Sequence, residues 1–89
     1  MAGLGKPITV EERIIQIVAD ILGLRREQVG RESVLTELGA DPYDLVEIEL
    51  EIEEYCGVSI DARRLRRAKK VGDLIQLVEA QIGPLATKE

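Results

Sequence analysis

The chain has 89 residues and a formal net charge of −5, a length that supports one domain with a small core, since such a chain buries only about 60–65% of the surface its unfolded form exposes. Histidine, phenylalanine and tryptophan are absent, only Tyr43 and Tyr55 are aromatic and one cysteine is present, which excludes Ser-His and Cys-His nucleophile pairs, the commonest metal ligand and an internal disulfide framework, and leaves no array of aromatic platforms for bases. The acid excess disfavours general nucleic-acid binding and points to a protein partner with a basic face.

Residues 1–8, with Gly3, Gly5 and Pro7, read as a flexible N-terminal tail. They show neither a signal-peptide pattern nor an apolar run near the ~20 residues that span a bilayer, so a soluble, cytoplasmic chain without membrane insertion is expected. Thr9-Val10-Glu11-Glu12 spells a capping box, in which the threonine oxygen accepts from the third helical N–H and Glu12 reaches back to the cap. A first helix is predicted from there, with Val10, Ile14, Ile17, Val18, Ile21 and Leu22 forming its apolar stripe and Gly23 its end. From Leu24 to Ala40 the period is lost and a long loop is expected, packed down through Val29, Val34, Leu35 and Leu38.

Val46 to Glu53 alternates apolar and acidic residues, which taken alone fits a strand or a helix. A strand would align four glutamates on one face, where like charges repel and glutamate is a poor strand former, with no second alternating strand to pair with. As a helix the segment starts well at Asp41 and buries Leu45, Ile48, Ile52, Tyr55 and Cys56. Tyr43, Val46 and Leu50 form a second apolar edge that is expected to widen its contact with the core. Cys56, beside Glu53 and Glu54, reads as a small core residue because a reactive thiol wants a basic neighbourhood. Asp61 is placed to cap a short third helix through Arg63 to Ala68, and Val71, Leu74, Ile75, Val78 and Ile82 mark a last amphipathic helix stopped by Gly83-Pro84. The expected domain is all-α, spans 9–83 and has three longer helices with a short one inserted third; residues 84–89 read as a C-terminal tail.

Thr9-Val-Glu-Glu-Arg13, Leu22-Gly-Leu24, Leu38-Gly-Ala-Asp41, Asp44, Val46-Glu47 and Glu53-Glu54, on to Val71, together resemble the acyl carrier protein family. The resemblance implies a four-helix bundle with a long loop between helices one and two, and a role in fatty-acid, polyketide or related carrier-dependent metabolism. It also implies a serine directly after the Asp of Gly-Ala-Asp, the attachment point of 4′-phosphopantetheine. That position is Pro42 here. Proline has neither a hydroxyl to take the phosphodiester nor an N–H to offer the phosphate. Tyr43 does not replace it, being turned about 100° around the helix, and Ser33 and Ser59 lie in other contexts. No bound cofactor, no metal and no enzymatic activity are therefore expected. Pro42 also fits simple drift in a copy that has lost its role. Glu49 and Glu51 stand where the family tends to have apolar or small residues, which argues against an internal acyl pocket.

The family's partners grip an acidic second helix, which assigns Asp41, Asp44, Glu47, Glu53 and Glu54 as the expected docking strip; a merely solvated face is the plain alternative. Where the family is usually acidic, this chain has Arg63, Arg64, Arg66, Arg67, Lys69 and Lys70 without an intervening acid. That basic segment suits pairing with the acidic helix, contact with an acidic partner, or phosphate binding, and exposed pairs worth only ~0.2–1 kcal/mol give stability as a thin reason for it. The leading expectation is a monomeric interaction module, structural or regulatory, that docks carrier-dependent biosynthetic enzymes. A non-covalent acyl or lipid carrier is the alternative, motivated by Tyr43, Val46 and Leu50. Head-to-tail self-association through the opposite charges is a further reading, and nucleic-acid binding through Arg63 to Lys70 is the weakest.

Overall fold

The computed structural model describes residues 8–86, and the side chains of 9–84. Four helices form the domain: α1 (Val10–Leu22), α2 (Pro42–Cys56), α3 (Ala62–Arg67) and α4 (Val71–Ile82). The all-α bundle and its short third helix match the expectation, with α3 shifted one residue from the 63–68 predicted. Helix α1 lies between α2 and α4 and packs against both.

Helix α1 begins where the capping box predicts, with Glu12 N–H donating to Thr9 Oγ1 at 3.0 Å and Thr9 N–H donating to Glu12 Oε1 at 3.3 Å. Its stripe of Val10, Ile14, Ile17 and Val18 is buried with Ile15 and Ala19. Ile48 and Ile52 of α2 and Val71, Leu74, Ile75 and Val78 of α4 close the core from either side. Helix α2 ends at Gly57, whose φ of 68° lies in the left-handed region open to glycine.

The long loop carries a short 3₁₀ turn, Arg26–Gln28, which the sequence did not announce. Val29 and Leu35 are buried, as expected, and Val34 and Leu38 are half-buried. Three backbone bonds add to this packing: Leu35 N–H donates to Lys69 O at 2.8 Å, Val71 N–H to Ser33 O at 2.9 Å, and Gly72 N–H to Arg31 O at 2.8 Å. The last contact favours a glycine, because a Cβ on residue 72 would meet the Arg31 carbonyl oxygen at 3.0 Å, closer than most such contacts. The loop is thereby strapped to the start of α4.

Two short strands, β1 (Ile8–Thr9) and β2 (Leu85–Ala86), pair antiparallel, and Val10 N–H donates to Pro84 O at 2.7 Å. Residue 8 and residues 84–86, read from the sequence as tail, thus join the end of the bundle because their backbone groups find each other across it. Positions 1–7 and 87–89 of the expected tails lie outside the described residues.

Asp73 fastens the entry to α4, its Oδ2 accepting from Lys69 N–H at 2.8 Å and Lys70 N–H at 2.9 Å. Those two donors hold its carboxyl below the usual carboxylate range. A depressed carboxyl stabilises the fold fully above its unfolded pKa, and that contribution disappears as pH falls through the lower folded value. Asp73→Ala is expected to cost about 0.5–2 kcal/mol at neutral pH. In urea melts the gap between variant and parent should close in strong acid; a gap that persists there would deny the carboxylate its role.

Candidate functional site

The N-terminus of α2 is built by two aspartates. Asp41 is the N-cap in extended conformation; Asp44 N–H donates to Asp41 Oδ1 at 2.8 Å, and Asp41 N–H donates to Asp44 Oδ2 at 3.0 Å. Asp44 therefore does more than add charge to the first turn: it is the return half of a capping box written with Asp in place of Glu or Gln. Pro42 occupies the first helical position, where its missing N–H goes unused and its fixed φ suits the helix. It is exposed, as is Tyr43. What residue 42 presents to an approaching protein is a saturated ring.

Beyond the first turn, α2 divides into two faces. Ile48 and Ile52 are fully buried, with Leu45 and Cys56 packed at the margin of the core. The second apolar edge is a correction to the sequence reading: Tyr43 is 85% exposed, Val46 53% and Leu50 58%, so these residues leave the core rather than widen contact with it. At about 100° per residue they lie on the side of the helix away from Ile48 and Ile52. Tyr55, also predicted buried, is half exposed and lies under the Arg13 guanidinium of α1, 5.0 Å from its ring centroid.

The five predicted docking acids are not equivalent. Asp41 and Asp44 each commit one oxygen to the cap, and Glu53 Oε2 accepts from Ile60 N–H at 2.8 Å, latching the turn between α2 and α3. Glu47 and Glu54 are exposed and have no ion pair among the described residues. They sit seven residues apart, on one line along the helix. Burial pushes the Glu49 carboxyl up, and the Glu53 charge adds to it. Glu51 joins Arg13, Gln16, Asp20, Glu47 and Tyr55 along a groove of about 400 Å³ between α1 and α2, rich in polar and charged side chains. Burial also pushes the Cys56 thiol up, with Arg13 pulling it partly back. A thiol held protonated fits the packing role assigned to it.

On α3, Asp61 Oδ1 accepts from Arg63 N–H at 2.8 Å, as its predicted capping role requires. Arg63, Arg64, Arg66 and Arg67 are exposed, and with Lys69 they have no ion pair among the described residues. Lys70 alone of the six pairs, with Glu32 at 2.9 Å, and that contact raises its pKa. The pairing of the basic segment with the acidic helix, one of the three readings of these charges, is not made among the described residues. Arg64 and Arg67 instead flank a cleft of about 520 Å³ between α3 and α4, with Ala68, Asp73, Gln76 and Leu77.

Sequence reasoning missed the Glu53 latch, the Arg13–Tyr55 stack and the Arg31–Glu11 ion pair at 2.7 Å. Only the spacing of Arg13 and Tyr55 on facing helices could have hinted at one of them. No helix among the described residues is long and apolar enough to cross a membrane.

Residues 12–78 match the family model described as phosphopantetheine attachment site. The chain is 36% identical over 75 residues to an acyl carrier protein of Syntrophus aciditrophicus, covering 83% of this chain and 94% of that protein. It is 40% identical over 72 residues to an acyl carrier protein of Nitratidesulfovibrio vulgaris, covering 80% and 95%. An acyl carrier protein of Thermotoga maritima is 32% identical over 72 residues, covering 80% and 89%.

Proposed function

This chain belongs to the acyl carrier protein family, and from that premise we infer that it keeps the carrier fold as a docking module while lacking the covalent arm. The observation that carries the inference is Pro42, the first residue of α2, directly after the Asp41 cap. The residues at this helix start do not fit covalent attachment of 4′-phosphopantetheine, since a proline ring offers no hydroxyl and the next side chain is a phenol turned away along the helix. The relatives are carriers by name, and the chain is grouped with them rather than with enzymes.

The outward face of α2 is the docking strip. Tyr43, Val46 and Leu50 supply apolar area, Glu47 and Glu54 supply free carboxylates, and Asp41, Asp44 and Glu53 offer their second oxygens. Its complement is a basic protein face on a cytoplasmic carrier-dependent enzyme. The alternative of a non-covalent acyl carrier drew on Tyr43, Val46 and Leu50, and their exposure favours contact with a protein over shelter for a chain. The six bases from Arg63 to Lys70 form a separate surface.

Incubation with coenzyme A and a broad-specificity phosphopantetheinyl transferase tests the reading. The intact mass is expected to stay unchanged, while an immobilised carrier-dependent acyl-transfer enzyme still retains the protein and loses it on Glu47→Arg with Glu54→Arg. A mass gain mapped to any side chain, or retention indifferent to those reversals, counts against it.

A further inference from the structure

The outward face of α2 and the cleft between α3 and α4 are complementary, and we propose that they are two halves of one interface through which copies of this chain associate head to tail. On α2, Tyr43 and Leu50 lie on one line and Glu47 and Glu54 on another, about 40° apart around the helix, each pair separated by a rise of about 10.5 Å. The result is an apolar ridge with a carboxylate row beside it. The cleft has the opposite character: Ala68 and Leu77, both half-buried, contribute apolar surface, and Arg64 and Arg67 stand on its rim one turn apart. The acid in the cleft, Asp73, has one oxygen, Oδ2, taken by the Lys69 and Lys70 backbone N–H groups, and two arginines outnumber its charge. Neither half is matched within the chain, since no ion pair joins α2 to the basic segment among the described residues.

Charge complementarity between the two patches makes a second copy the occupant. The same chain carries both members of the pair, so every molecule in solution presents the partner surface at the concentration of the protein itself. The net charge of −5 repels one copy from another at long range, so the contact forms only where the acid row of α2 meets the basic rim of the cleft. Because the two patches differ, the contact is heterologous, and a molecule that has used its ridge still presents its cleft. A copy bound through α2 also has that helix covered against any other protein.

Sedimentation equilibrium over a concentration series tests the proposal on the intact chain. At low ionic strength the weight-average mass is expected to climb above that of the monomer. In about 1 M salt, where the screening length shrinks to about 3 Å, the association constant is expected to fall about tenfold or more. Reversal of the cleft (Arg64→Glu with Arg67→Glu) or of the ridge (Glu47→Arg with Glu54→Arg) should each leave a monomer, because ridge and cleft then share a sign. Mixing the two reversed proteins should restore association, each offering the other a complementary pair. Circular dichroism melts establish that the reversed chains are folded, and the salt series on the parent protein needs no variant. A parent chain that stays monomeric at every concentration at low ionic strength overturns the proposal and leaves the cleft to some other acidic partner. Association that survives in both reversed proteins overturns it equally.

Discussion

Pro42→Ser is expected to turn the chain from a protein that a phosphopantetheinyl transferase leaves untouched into one that it modifies to completion, read as a mass gain of one phosphopantetheine group on the introduced serine. The helix start around the substitution is already in place: Asp41 and Asp44 hold the cap through their own backbone bonds, and neither bond involves residue 42. Serine at the first helical position regains an N–H that the helix leaves free, and its hydroxyl stands on the exposed side of the turn. The stability cost is small, about 0.4–1 kcal/mol, through the extra freedom the unfolded chain gains when a well-placed proline is lost. Serine should therefore restore chemistry without disturbing the fold. A serine variant that remains unmodified would show that residue 42 is not the loading position in this chain.

Ile52→Ala is expected to give the largest loss of stability, about 2–5 kcal/mol, because its side chain is fully buried in the hydrophobic core and its removal leaves a cavity. Domains of this kind are stable by only about 5–15 kcal/mol, so the loss is a large share of the whole. Leu50→Ala, two positions earlier, removes a side chain that is 58% exposed and is expected to shift stability by no more than about 0.5 kcal/mol. Denaturant melts of the two variants side by side check the orientation of α2. A larger loss at Leu50 than at Ile52 would place the outward face in the core and remove the basis of the docking proposal.

That contrast also marks where the sequence is legible and where it is not. Helix starts were readable because caps are local: Thr9 with Glu12, Asp41 with its proline, and Asp61 all depend on residues within one turn. The alternating segment from Val46 to Glu53 was readable as helix because the rival strand had nothing to pair with and would have aligned like charges. The edge of Tyr43, Val46 and Leu50 was misread because hydrophobicity signals a wish to leave water without saying which surface will cover it. A core and an interface write the same residues at the same spacing.

Distant pairings were likewise hidden. The strapping of Arg31, Ser33 and Leu35 to the start of α4 runs through backbone groups that every residue has, so side chains carry little sign of it, Gly72 excepted. Glu53 reads as one more docking acid in the sequence, whereas its bond to Ile60 N–H ties it to the turn after α2. Of the five acids assigned to one role, Glu47 and Glu54 are therefore the cleanest probes of the proposed docking. Family membership was readable from the order and spacing of short matches across most of the chain, and the family model and relatives bear it out. The proline at residue 42 was plain from the first, since it is a matter of identity and needs no geometry.

The claim that this family member acts without a covalent arm is tested most directly by the intact mass of the protein recovered from its own host. A bare polypeptide, with no phosphopantetheine on any residue, is the predicted result. A species heavier by that group, localised to a side chain of this chain, would contradict it.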